Sequence, residues 1–258
     1  MPPLRYQLLH WDAFMSDSSR EAVLDWVRGL RAAHYATGDA DAEHRFDVLQ
    51  PLPRSVALDE RKAALGELLY HDKRLSADDS LSCASCHALD KGGTDRARFS
   101  TGIGGAIGAI NSPTTYNSGW QFVQFWDGRA ATLEEQAAGP VHNPIEMGSN
   151  WPQVLSKLEQ DAALKAQFAA LFPDGMNGDN IAAAIAEFER SLLTPDARFD
   201  RYLRGERAAL SAEELEGLRL FRENGCATCH AGKIMGGQSF ERMGARREYF
   251  TEKEKLRE

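Results

Sequence analysis

The 258-residue chain has no cysteine to spare. Cys83, Cys86, Cys226 and Cys229 all fall in two copies of C-x-x-C, which leaves none over for a structural disulfide. No run of about 18 apolar residues occurs anywhere, which excludes a helical membrane span. The first residues, MPPLRYQLLHWDAFMSD, lack the basic, then apolar, then small-residue order of a secretory leader. Basic residues are outnumbered, 30 Lys and Arg against 38 Asp and Glu, for a formal net charge of -8. Lysine and arginine are interspersed with acids rather than clustered, so a phosphate backbone is not a partner this chain can neutralise. An acidic surface suits a basic protein partner at low salt. Alternating strand patterns of useful length are missing too.

What is present is a helical chain with 43% hydrophobic residues, enough for a sizeable core. Ser18 and Glu21 are spaced as a capping box before Val23, Leu24, Val27 and Leu30, predicting a helix over 19–36. Residues 37–55 are polar with two prolines and read as a linker. Leu65, Leu68 and Leu69 mark a helix over 59–70. From Ala88 to Ser118 there is no period, only glycines at 92, 93, 102, 104, 105 and 108, and this reads as one long wrapping loop. Helical patterns resume at Thr132 with Glu135, at Asn150, after Asp179 (Ile181, Ile185, Phe188, Leu192) and at Ser211 with Glu214. The expected fold is mostly α: two units joined by long loops, with an N-terminal helical appendage. The expected boundaries are an appendage and linker over 1–50, a first domain over 51–205 that includes the bridging helices of 150–204, and a second domain over 206–258.

Each C-x-x-C is followed at once by a histidine, His87 in "CASCH" and His230 in "CATCH". Two thiols so spaced can each add across a haem vinyl group, and the adjacent histidine then ligates the iron. A redox dithiol needs no such histidine. A single zinc site built from all four thiolates is the rival reading, and it leaves both histidines unexplained. Two motifs that consume every cysteine therefore point to two covalently bound haem c groups and to redox work.

The stretch FSTGIGGAIGAINSPTTYNSGWQFVQFWDGRAATLEEQAAGPVHNPIEM, residues 99–147, resembles the bacterial di-haem cytochrome c peroxidases, above all in NSPT, QFWDGRA and EEQAAGP. The resemblance runs from about residue 58 to about residue 237 and takes in IAAAIAEFERSLLTPDARFDRYL and the second haem motif. It implies reduction of hydrogen peroxide to water with electrons from a small periplasmic donor, a cytochrome c or a cupredoxin. By the same resemblance the haem on Cys83, Cys86 and His87 is the peroxidatic centre, and that on Cys226, Cys229 and His230 accepts the electrons. Trp126 matches a tryptophan on the electron route, Gln136 and Glu146 match the polar residues over the peroxide pocket, and Asn111 matches an asparagine of a calcium site. Relatives are commonly homodimers. Bond cleavage in peroxide needs a group that carries a proton from the near oxygen to the far one, and Glu146 suits that shuttle.

Each of these residues has a plainer reading. Glu146 can be a solvated loop acid, Trp126 ordinary core and Gln136 a residue serving the backbone of a first helical turn; His142 can be structural, as can His10, His34, His44 and His71. Ile103 stands where much of the family has a loop histidine that caps the peroxidatic haem. The expectation is an open sixth position there, or one borrowed from His142 or Met147. Family members continue well past the second motif and supply a distal methionine. Here Met235 and Met243 are the only downstream methionines. The N-terminal segment resembles the tail of a small haem-binding domain, with a Met-Pro-Pro turn. Together with the missing leader, this predicts an interior piece of a longer, exported protein of two or three haems. Two rival functions stand beside the peroxidase: a related di-haem enzyme oxidising a protein or organic substrate, and pure electron transfer.

Overall fold

The computed structural model describes residues 16–34, 44, 47–242, 244 and 248. Met243 and the Met-Pro-Pro turn lie outside the described residues. In chain order the helices are α1 (Asp17–His34), α2 (Glu60–Tyr70), α3 (Cys83–Cys86), α4 (Leu133–His142), α5 (Trp151–Leu158), α6 (Ala162–Leu171), α7 (Gly178–Ser191), α8 (Arg198–Leu203) and α9 (Ala212–Glu223). Strand pairing among the described residues is limited to isolated bridges. The mostly α expectation is met. None of the described helices is long and apolar enough to cross a membrane.

Contacts divide the chain into two units, and the division differs from the one expected. Ala197–Lys233 groups with the described residues of Met1–Pro51; Leu52–Asp196 groups with those of Ile234–Glu258. Side chains explain why residues near 50 join the second motif rather than standing apart as a linker. Arg222 pairs with Asp47, His44 packs its ring edge-on to Tyr202 at 5.2 Å, and Leu49 bridges to Gly232. None of these partners is near the other in sequence, so no local pattern announced them.

The larger unit is built on α2 and α7. Ile181, Ile185 and Phe188 recur at helical spacing and are buried, as are Leu65 and Leu69 facing them. Each such aliphatic side chain contributes about 1.5–3 kcal/mol when taken out of water. The two helices touch backbone to backbone at Gly66, where a Cβ would lie 1.9 Å from the Ala184 carbonyl oxygen. Only glycine fits that crossing. Val141, Val154, Leu158, Leu164 and Phe168 from α4, α5 and α6 close the core. Met147 belongs to this core at 5% exposure.

In the smaller unit the predicted capping box at Ser211 and Glu214 is formed, and α9 delivers the chain to Cys226. α1 forms two residues earlier than predicted, with Ser16 Oγ accepting from the Ser19 N–H at 3.1 Å. Its Val23, Leu24 and Trp26 stay exposed.

Candidate functional site

The first motif is a single helical turn. Ser82 and Ser85 reciprocally cap it, and His87 closes it by donating its N–H to the Cys83 carbonyl at 2.9 Å. His87 is then braced from outside the motif. Its Nδ1 lies 2.9 Å from the Pro113 carbonyl oxygen and 3.2 Å from that of Gly93. Two acceptors at one ring nitrogen require that nitrogen to carry the proton, which leaves the Nε2 lone pair for a metal. Burial also pulls the imidazole below its ordinary pKa and keeps it neutral, the form iron binds.

The two cysteines are free thiols. Burial, reinforced by the negative potential of Glu189, pushes the Cys83 thiol up to about 12. Cys86 is raised as well, first by burial, then by Asp95 and Glu146, while the Ser100 and Ser112 hydroxyls hydrogen-bond it. Tyr70, at the end of α2, is fully buried; its hydroxyl donates to the His87 carbonyl at 2.7 Å, and burial holds its proton on.

Glu146 sits in a loop zipped to the end of α4. Asn143 accepts from the Glu146 N–H at 3.0 Å, Pro140 from that of Met147 at 3.1 Å, and Val141 from that of Ser149 at 2.8 Å. Asn143 Nδ2 donates to Glu146 Oε1 at 2.8 Å. Burial raises the Glu146 carboxyl above the usual range, although the Asn143 bond and Arg129 oppose it. It is therefore not a plain solvated loop acid. The glycine-rich segment docks on this loop: Thr101 bridges Ile107, and the Ile103 N–H donates to the Glu146 carbonyl at 2.8 Å. Gly102 passes so close that a Cβ would stand 1.8 Å from the Ile145 carbonyl oxygen. The side chain of Ile103 rests near Gly148. The long unpatterned loop is thus tied to the loop that carries Glu146.

Trp126 is 45% exposed, which removes the ordinary-core reading, and its Nε1 donates to the Asn111 carbonyl at 3.3 Å. That bond joins two of the sequence-predicted residues. Asn111 Nδ2 turns to the Ser112 carbonyl at 3.5 Å. Gln136 is half-buried on the first full turn of α4, its N–H donating to the Thr132 carbonyl at 3.1 Å. Its own carbonyl faces Pro140, which has no N–H to return. His142 packs edge-on to Trp151 at 5.2 Å, and His71 Nδ1 is 3.0 Å from the Glu67 carbonyl, both structural roles.

Sequence reasoning missed Glu189. It is 6% exposed on α7, with one carboxylate oxygen lacking any hydrogen-bond partner, and burial raises its carboxyl to about 8. Its signal was legible: it sits eight residues after Ile181, on the apolar face of the helix.

The second motif repeats the backbone turn. His230 donates its N–H to the Cys226 carbonyl at 3.0 Å, matching the 2.9 Å bond of His87 to Cys83. Its surroundings differ: Cys226, Cys229 and His230 are exposed, and Phe221 is the ring beside the imidazole, 6.0 Å between centroids. Met235 belongs to the larger unit rather than to that of His230.

Both motifs suit covalent haem. Each has two free thiols at one turn of spacing, and in the first a neutral imidazole is aimed by its protonated Nδ1. Exposed Ile107, Trp126 and Ile145 add apolar surface in the same unit as the first motif. Among the described residues no group of three or more His, Cys, Asp or Glu side chains that could hold a metal ion occurs.

Comparison with known proteins agrees. Residues 60–208 match the family described as di-haem cytochrome c peroxidase. The chain is 52% identical over 250 residues to the cytochrome c peroxidase Ccp of Escherichia coli K12, covering 96% of this chain and 54% of that protein. It is 42% identical over 204 residues to the cytochrome c551 peroxidase of Nitrosomonas europaea, covering 79% and 61%. A solved structure of a MauG-like protein associated with microbial copper homeostasis superposes with a TM-score of 0.64 at 32% identity, over 75% of this chain and 59% of that one. The chain thus spans little more than half the length of these relatives. The matched segment contains the first motif, Asn111, Trp126, Gln136 and Glu146, and the family implies two covalent haem c groups: the chain belongs to the di-haem cytochrome c peroxidase family.

Proposed function

We propose that this chain forms the peroxidase part of an enzyme that reduces hydrogen peroxide to water, taking electrons from a small periplasmic cytochrome c or cupredoxin. The observation that carries this reading is the braced His87 with the burial-raised Glu146 in the same unit, tied to one loop system. A pure electron carrier has no use for an acid-base group held there. A haem held by Cys83, Cys86 and His87 would supply the redox chemistry of peroxide cleavage.

The chain's own residues do the rest. His87 presents Nε2 because Pro113 and Gly93 hold Nδ1–H. Asn143 occupies Glu146 Oε1 and leaves Oε2 to take a proton from the near oxygen of peroxide and return it to the far one. A raised pKa brings the carboxyl nearer the working pH, where both transfers run. Gln136 is proposed to hydrogen-bond the peroxide, Trp126 to lie on the electron route, and Asn111 to contribute to a calcium site. The haem on Cys226, Cys229 and His230 is assigned the electron-accepting role, each of the two domains being cytochrome c-like. Homodimerisation and periplasmic residence complete the proposal.

The test is oxidation of reduced cytochrome c by peroxide with haem-loaded protein, repeated with Glu146→Gln. Removing a general acid-base group is expected to slow turnover about 10²–10⁴-fold while both haems stay attached. Absence of both peroxide consumption and peroxide-dependent cytochrome oxidation in the parent overturns the peroxidase reading in favour of a carrier. The second reading is that of a related di-haem enzyme which oxidises a protein or organic substrate. In that case peroxide is consumed without cytochrome oxidation.

A further inference from the structure

His87 is held at its ring by two carbonyls and at its N–H by Cys83. A third hold, on its carbonyl, comes from a residue that no motif includes. Tyr70 Oη donates there at 2.7 Å across 17 residues of sequence. Because that proton is committed to His87, the Thr115 hydroxyl, 3.3 Å away, donates to Tyr70 Oη in turn. Thr115 also donates its N–H to the Gly93 carbonyl at 3.2 Å, and that carbonyl is one of the two acceptors at His87 Nδ1. The bonds therefore close a ring, Tyr70 to His87 to Gly93 to Thr115 and back, which grips the histidine at both its backbone and its imidazole.

The grip has a rigid anchor. Tyr70 is fully buried, its ring edge-on to Phe188 at 5.1 Å and to His71 at 5.3 Å. It ends the helix that Gly66 locks against the Ala184 carbonyl. His87 itself, with φ -122° and ψ 56°, is neither helical nor extended, so no regular element fixes its orientation. The hydroxyl of Tyr70 does so instead.

We infer that Tyr70 is a positioning residue for the axial imidazole of the first haem, acting through the His87 carbonyl and the Thr115 hydroxyl. The inference rests on the reading of His87 as an iron ligand. Without the hydroxyl, the His87 carbonyl loses its partner, the backbone there is free to turn, and the imidazole samples a range of tilts at the iron.

The experiment is resonance Raman spectroscopy of the reduced, haem-loaded protein, reading the iron–histidine stretching band, with His87→Gly assigning that band in the parent. Tyr70→Phe keeps the ring and deletes one oxygen. It is expected to retain both covalent haems, to move the band to lower frequency and to broaden it; Thr115→Val is expected to do the same to a smaller extent. A merely structural tyrosine would lower the melting temperature and leave the band in place. A band unchanged in both variants overturns the inference alone, whereas a parent band untouched by His87→Gly overturns the assignment of His87 and the inference with it.

Discussion

The two C-x-x-C-H turns are nearly the same object locally and quite different objects in context. Each histidine bonds back to its first cysteine at 2.9 or 3.0 Å, yet His87 is gripped by Tyr70, Gly93 and Pro113 while the residues of the second turn stand exposed. The spacing of cysteines and histidine encodes the attachment chemistry. The partners outside the motif decide how tightly the ligand is aimed: Tyr70 comes from the core of the larger unit, Gly93 and Pro113 from the loop that follows the motif.

That contrast predicts where the molecule breaks. Gly66→Ala drives a methyl into the Ala184 carbonyl beneath the first motif; overpacking of this kind costs about 1–3 kcal/mol, read as a lower denaturation midpoint. Gly217→Ala, on α9 ahead of the second motif, meets nothing within 4 Å and is expected to stabilise its unit by about 0.5–1 kcal/mol. Equal effects at the two glycines would remove the difference in packing between the units.

A pH series sharpens the same comparison. Glu189 is raised from 4.5 to about 8 by burial, so the folded state holds a proton that the unfolded state gives up near 4.5. The stability it confers is complete below about 4.5 and is lost as pH rises through about 8. Thermal melts between pH 5 and 9 should show the parent weakening across that window more steeply than Glu189→Gln, with the variant the more stable at the alkaline end. Parallel curves would mean the carboxyl is not buried as described.

The smallest effect belongs to the surface near the second motif. Glu223 pairs with Arg219 where both are exposed, and Glu223→Gln is expected to leave the melting temperature close to that of the parent, because solvent screens such a pair. Peroxide-dependent turnover should not respond to it, in contrast to Glu146→Gln.

Much of this was legible beforehand, and the limits are physical. Capping at Ser211 depends on neighbours three residues apart, and the buried face of α7 on a helical period, so both could be read from the chain. Thr132 caps α4, but Glu135 reaches the Ala131 N–H rather than that of Thr132, a shift of one residue that spacing alone does not resolve. α7 begins at Gly178 because Asn177 supplies the cap. Met147 stands in an unpatterned loop, and its burial in the core follows from bonds to Pro140 and Ala77 that no local spacing announces. Tyr70 could not have been found at all: its one telling bond joins residues with no local relation, and the helix that carries it reads as ordinary core.

The central claim, one covalent haem at each turn, is tested most directly by a pyridine haemochrome spectrum with intact mass on protein made with a competent maturation system. The expected result is two haems in the parent, one in Cys83→Ala/Cys86→Ala and one in Cys226→Ala/Cys229→Ala. A colourless parent, or one carrying zinc in place of haem, would contradict it.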